Sequence, residues 1–310
     1  MRRQLHLRNP LPDVQNRAQY ALASIRPVEP AQFASAPTIA IDMSVTIAVH
    51  VGFREAVRAV SQTLVELAPE PVLIVPDNRT GSRPNPYATL AVVEGLATRR
   101  ALSSLALPAA TSRTWQQRWR NLATRAGIPV EPLGDEGWVR VALDGMPTTL
   151  MSVDVPIELM QSGTVIALST SATDAGCVSL WNDAVHPNSA MRAQVGGAAT
   201  VAELALAVDA TYLLTGQSGS LRIAALARDR IVAELVAFAL YRLREESTGV
   251  EAIGPWEERT VQHLIEVGGG VSSAAQVTLS VVGSANTDGH RASIARLAEL
   301  LGCRIDDKPL

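Results

Sequence analysis

The chain has 310 residues, 47% of them hydrophobic and 18% charged, and its 27 basic against 30 acidic side chains leave a net charge of −3. That is enough apolar chain to bury one large core or two moderate ones, and no overall basic field exists to hold nucleic acid or an anionic membrane surface. Among the basic residues Lys308 is the single lysine, so neither a Schiff-base lysine nor a P-loop lysine is available, because a chain end seldom supplies a buried, pKa-shifted amine.

Residues 1 to 36 are polar and punctuated by Pro10, Pro12, Pro27 and Pro30, which reads as an N-terminal arm with a short helix near Val14 to Ser24. Arg2 and Arg3 open it, but His6, Arg8 and Asp13 interrupt it before any apolar region of signal-peptide length, so a cytoplasmic location is expected. From Thr38 the pattern changes. Thr38 to Asp42 and Val45 to Val51 are β-branched runs of strand length, Arg54 to Leu67 carries a helical apolar repeat, and Val72 to Val75 is again a strand. This succession predicts a mixed, largely parallel sheet covered by helices, with an embedded subdomain.

Further helices are expected at Tyr87 to Ser104, Trp115 to Ala126, Ala199 to Ala207, Ser220 to Arg244 with a break inside, Thr260 to Val267 and Ala292 to Leu301. Strands are expected at Trp138 to Leu143, Thr148 to Val153, Gly163 to Ser169, Tyr212 to Leu214 and Gln276 to Val282. Ile231 to Leu240, the longest apolar stretch, contains Glu234 and is too short to span a bilayer. With no repeat or low-complexity linker, residues 37 to 310 read as a single α/β body, with 37–135 and 136–310 as possible lobes.

Ligands of open α/β sheets bind beyond the carboxyl ends of parallel strands, so the residues that follow each strand are the first candidates. After Val75 come Asp77, Arg79, Ser82 and Arg83, a carboxylate and two arginines ahead of a helix, suited to an anion; a solvated turn is the alternative. A second segment holds Asn182 and His186, where an imidazole could transfer protons or, alternatively, satisfy a turn. His50 ends the Val45 to Val49 run and is a second candidate base. Asp288 and His290 follow Val282 and could bind an anion or cap the next helix. Gly268 to Gly270 reads as a helix-ending turn, and Gly216 to Ser220 as a loop that could hold a phosphate. Trp115 and Trp119, four apart, read as core or interface anchors. Cys177 and Cys303 lie far apart and the five histidines are scattered, so no local metal-ligand pair exists and no metal is expected.

From about Val139 onward, Val153-Asp154-Val155-Pro156, Cys177 to Asn182, His186, Arg228 to Ala237 and Val277 to Gly283 resemble the motifs of a ferredoxin-associated domain-of-unknown-function family of bacteria and archaea. The resemblance implies that Asn182 and His186 belong to a pocket. It also shows departures: Trp181 stands where the family has lysine, Glu234 where it has a second helix aspartate, and the cluster-binding cysteines are missing. On that basis a lineage without iron–sulfur equipment, serving specialised metabolism, is implied.

By subtraction the expected function is a cofactor-independent enzyme acting on a small anionic substrate, free or carrier-bound. The chemistry is elimination or intramolecular displacement of sulfate or phosphate, a lyase or cyclase type of reaction. His50, Asp77 or His186 is the expected base, and Arg79, Ser82, Arg83, Asn182, Asp288 and His290 the expected substrate and anion contacts. The alternatives are a non-catalytic partner subunit or homo-oligomer that docks through an apolar face, and a redox accessory protein working with a separate ferredoxin.

Overall fold

The computed structural model describes residues 44–50, 72–76, 102–108, 113–162, 164–170, 176–218, 221–245, 253–282 and 288–306. In chain order the elements are β1 (Ser44–His50), β2 (Val72–Pro76), β3 (Leu102–Leu107), α1 (Arg113–Ala126), β4 (Val130–Pro132), β5 (Trp138–Ala142), β6 (Ser152–Pro156), α2 (Ile157–Gln161) and β7 (Thr164–Thr170). A 3-10 turn at Val178–Leu180 leads into α3 (Trp181–Ala184), α4 (Pro187–Gly196) and α5 (Ala198–Glu203). Then come β8 (Thr211–Ser218), β9 (Leu221–Ala227), α6 (Arg230–Glu245), α7 (Arg259–Glu266), β10 (Thr278–Val282), α8 (Asp288–Leu301) and β11 (Arg304–Asp306). The N-terminal arm, the Thr38 to Asp42 strand, the Arg54 to Leu67 helix and the segment Asp77, Arg79, Ser82 and Arg83 lie outside the described residues.

Nine strands form one sheet in the order β11-β10-β1-β9-β8-β7-β2-β3-β4, and β5 and β6 form a separate antiparallel hairpin. The α/β class is therefore as expected. Parallel pairing does not run through the whole molecule, because β9 is antiparallel to both β1 and β8. The sheet also crosses residue 136: β2, from the earlier part of the chain, pairs in parallel with β7 from Val72↔Thr164 to Pro76↔Leu168.

Several elements differ from the sequence reading. Leu221–Ala227 is strand, not the first half of a helix. Its alanines and leucines are good helix formers, but the segment turns back on β8 in a long register, from Tyr212↔Ala227 to Ser218↔Leu221, and tertiary pairing overrides propensity. Gly216 to Ser218 are consequently ladder residues of β8 and do not form a phosphate loop. Leu102–Leu107 is likewise strand where a helix through Ser104 was expected, since it fills the register between β2 and β4. The strand expected at Thr148 to Val153 is β6, shifted to Ser152–Pro156.

The core lies between the sheet and α6. Every residue of α6 from Arg230 to Leu240 is buried, so the apolar helix that would have suited a partner-binding face is covered by the chain itself. Among the described residues no helix is long and apolar enough to cross a membrane. Trp119 is buried at 6% exposure, in keeping with an anchor within the fold. Gly268 and Gly269 donate to the carbonyls of Ile265 and Leu264 and end α7, as the helix-terminating reading requires.

Several polar groups within this core are paired. The indole N–H of Trp181 donates to the hydroxyl of Tyr212 at 2.9 Å with the rings at 87°, and burial pushes the Tyr212 phenol above its ordinary range. Glu234 is fully buried on α6, and its Oε2 accepts the backbone N–H groups of Cys177 at 2.7 Å and Val178 at 3.0 Å. Gly176 makes this possible: it sits at φ +69°, and a Cβ there would run into the Glu234 carboxylate. Gly176→Ala should therefore lower the unfolding free energy by about 2–5 kcal/mol, the left-handed penalty plus the displaced carboxylate. Urea melts compared with wild type measure it, and an unchanged midpoint would show that the carboxylate does not fix this turn.

Candidate functional site

The backbone brings three segments to one cleft with a volume of about 240 Å³. Leu133, which continues β4, and Trp138, which opens β5, form one side, and the α3–α4 junction forms the other. Its polar lining is Asn182, Asp183 and Gln194, and Met191 and Val185 contribute apolar surface.

Each wall is fixed by an identifiable bond. Glu158 on α2 is 9% exposed, and its carboxylate accepts from the backbone N–H groups of Gly134 and Glu136, at 3.1 Å each to Oε1. That clamps the turn immediately before Trp138. Gly134 has no side chain because the Trp138 indole occupies the space where its Cβ would stand. The His186 ring also packs against the indole in a T-shaped contact, with centroids 4.8 Å apart and planes at 88°.

His186 itself is set between Val185 and Pro187, both of which line the cleft. Its backbone N–H donates to the Asp154 carbonyl of β6 at 2.9 Å, and its Nδ1 accepts from the Asn188 N–H at 3.1 Å, capping α4 with Pro187 in the first turn. A neutral imidazole has one lone pair, and here it is engaged at Nδ1, leaving a proton on Nε2. In this arrangement His186 supports Trp138 and the helix start, and it does not offer a free basic nitrogen to the cleft.

Asn182 lines the cleft as expected of a pocket residue, and its Oδ1 accepts from Gln194 Nε2 at 3.1 Å. His50 ends β1 opposite Arg222 of β9. Asp288 and His290 fall within the first turn of α8, so they belong to a helix start and not to a free loop. All strands of the large sheet except β9 point the same way. The carboxyl end of β1 beside His50 and that of β10 ahead of Asp288 are therefore neighbours at one edge. The end of β2, which precedes Asp77, lies four strand positions from β1, on the order of 19 Å along the edge at about 4.8 Å per strand. His50 and Asp77 thus do not start from adjacent strands.

A further pair was not apparent from the sequence. Glu203, fully buried at the end of α5, accepts the backbone N–H groups of Thr149 at 2.9 Å and Leu150 at 2.7 Å, and its Oε1 lies 2.7 Å from Nε2 of His263 on α7. The ring is one-fifth exposed, and its Nδ1 stands 4.0 Å from Glu266. The two partners are 60 positions apart and no local motif links them. Among the described residues no three His, Cys, Asp or Glu side chains converge as a metal site.

Replacing Glu203 with glutamine turns an N–H₂ toward backbone N–H groups that have no other acceptor in that connection. We expect Glu203→Gln to destabilise the protein by about 3–5 kcal/mol and His263→Ala by about half of that, measured by urea unfolding. Equal, small losses in both variants would show that the carboxylate is not the anchor of the Thr149–Leu150 turn. Comparison of the chain with protein-family models, curated proteins and solved structures returned no match, so the role of the cleft rests on its own chemistry.

Proposed function

We propose that the chain is a small-molecule enzyme whose substrate enters the cleft between Trp138 and the α3–α4 junction. The observation that carries this reading is the lining: an indole packed against the His186 ring, two primary amides and a carboxylate, over apolar surface. Such a mixture of flat apolar wall and a few directed polar groups is how small-ligand sites are built. No arginine is among the described lining residues, so the cleft suits the uncharged or amine-bearing part of a substrate. An anionic leaving group would fall to Arg79, Ser82 and Arg83.

The reaction class remains elimination or intramolecular displacement. In the displacement, an amine nitrogen forms a bond to carbon as the carbon–oxygen bond to sulfate or phosphate breaks, and a base removes the ammonium proton. Nδ1 of His186 is engaged in the α4 cap, so we assign the base to Asp77, which shares its segment with Arg79, Ser82 and Arg83. The test incubates the purified chain with aminoalkyl sulfate and phosphate esters and follows inorganic anion release by ion chromatography. Release that falls at least about 100-fold in Arg83→Ala is expected, as is a raised KM in Trp138→Ala. No release from any ester, with no binding that depends on Trp138, would remove the reading.

A second reading is favoured by one observation. Met191 at 59% and Val195 at 87% exposure stand one turn apart on α4, and Met151, 82% exposed, precedes Ser152, whose carbonyl accepts from Arg192 of the same helix. These side chains would suit contact with a second copy of the chain. Sedimentation velocity of wild type against Val195→Glu tests it: a dimer that the variant dissociates supports self-association, and a wild-type monomer at high concentration removes it.

A further inference from the structure

The hydrogen bond between Gln194 and Asn182 uses only part of each amide. Gln194 Nε2 donates to Asn182 Oδ1 at 3.1 Å, which leaves both N–H groups of Asn182 Nδ2 and the carbonyl Oε1 of Gln194. Both residues line the cleft that Trp138 closes on its other side. If the two amides exchange roles, so that Asn182 donates and Gln194 accepts, the remainder is again one N–H₂ group and one carbonyl oxygen. Either arrangement therefore leaves a donor on one amide and an acceptor on the other.

We propose that this amide pair recognises a primary or secondary amide edge, such as a carboxamide, lactam or cyclic imide, on a flat ligand lying near the Trp138 indole. The ligand's carbonyl accepts from one protein amide while its N–H donates to the other, giving two hydrogen bonds that no single-function group can reproduce. A carboxylate has no donor, and a tertiary amide has no N–H. The indole supplies the flat apolar wall, held in orientation by the His186 ring and seated in the space left by Gly134. This inference rests on the cleft being the substrate site and names the chemical class of what it takes.

The test uses three probes that share a phenyl ring and differ in the polar group, benzamide, N,N-dimethylbenzamide and benzoate, titrated into the full chain with ligand-detected NMR. Benzamide should bind about five- to ten-fold more tightly than the other two, the worth of roughly one net hydrogen bond. Gln194→Ala, at an exposed position and with its fold checked by circular dichroism, should erase most of that preference, and Asn182→Ala the rest. Trp138→Ala should weaken all three probes together. Equal binding of the three by wild type, or an undiminished preference in Gln194→Ala, overturns the amide-edge assignment while leaving the cleft as a binding site. If no probe's binding responds to Trp138→Ala, the assignment and the cleft reading fall together.

Discussion

Buried loops need acceptors for their backbone N–H groups, and this fold supplies them repeatedly with carboxylates. Glu158 accepts from residues 134 and 136, Glu203 from 149 and 150, and Glu234 from 177 and 178. Asp229 accepts from Ile231 and Val232 at the start of α6 and from Val271 far along the chain. An N–H left without a partner in such surroundings costs about 1–3 kcal/mol, and a charged acceptor makes the stronger bond. The charge has its own cost, seen where burial pushes the Asp229 carboxyl above its ordinary value against the pull of those three N–H groups. The carboxylates hold non-repetitive backbone against the core where no ladder or helix could do so.

Two of these clamps meet at the β5–β6 hairpin. Glu158 holds the turn ahead of β5 and Glu203 the turn ahead of β6, and neither strand belongs to the large sheet. Between the clamps, Asp154 completes the seating: its N–H donates to Ser189 Oγ at 3.0 Å, its carbonyl accepts from His186, and its carboxylate pairs with Arg140 at 2.8 Å. The hairpin is thus fastened to α2, α4 and α5 by side-chain and local backbone bonds. Trp138 inherits its position from that fastening, so the cleft wall is set before any ligand arrives.

Elements whose periodicity agreed with their surroundings were legible in the sequence. The helix near Trp115 to Ala126, the strand after Gly163 and the helix ending at the glycine run all stand close to where the apolar pattern put them. Leu221–Ala227 was not legible, because Ala, Leu and Arg favour helix and only pairing with β8 and β1 makes the segment a strand. Asn182 and His186 stand out in the sequence because they lie in one polar segment. Trp138 and Gln194 were passed over because they arrive from other elements, and the Glu203–His263 pair has no local signal at all. A histidine in a polar segment reads as a proton carrier in the sequence; in space its Nδ1 accepts from the second residue of the helix it caps.

The position of β1 has a consequence for the order in which the molecule can be assembled. Ser44 pairs with Thr278 in parallel on one side, and Thr46 pairs with Leu226 on the other. A strand made early in translation therefore waits for two partners made late, one of them among the last strands to leave the ribosome. Until β10 emerges, β1 has at most one neighbour and presents an open edge, so a nascent chain holds unpaired N–H and C=O groups for most of its synthesis. Contacts of such long sequence separation also place closure of the sheet late in refolding from denaturant. Chaperone demand and aggregation should accordingly concentrate in chains stalled between β9 and β10.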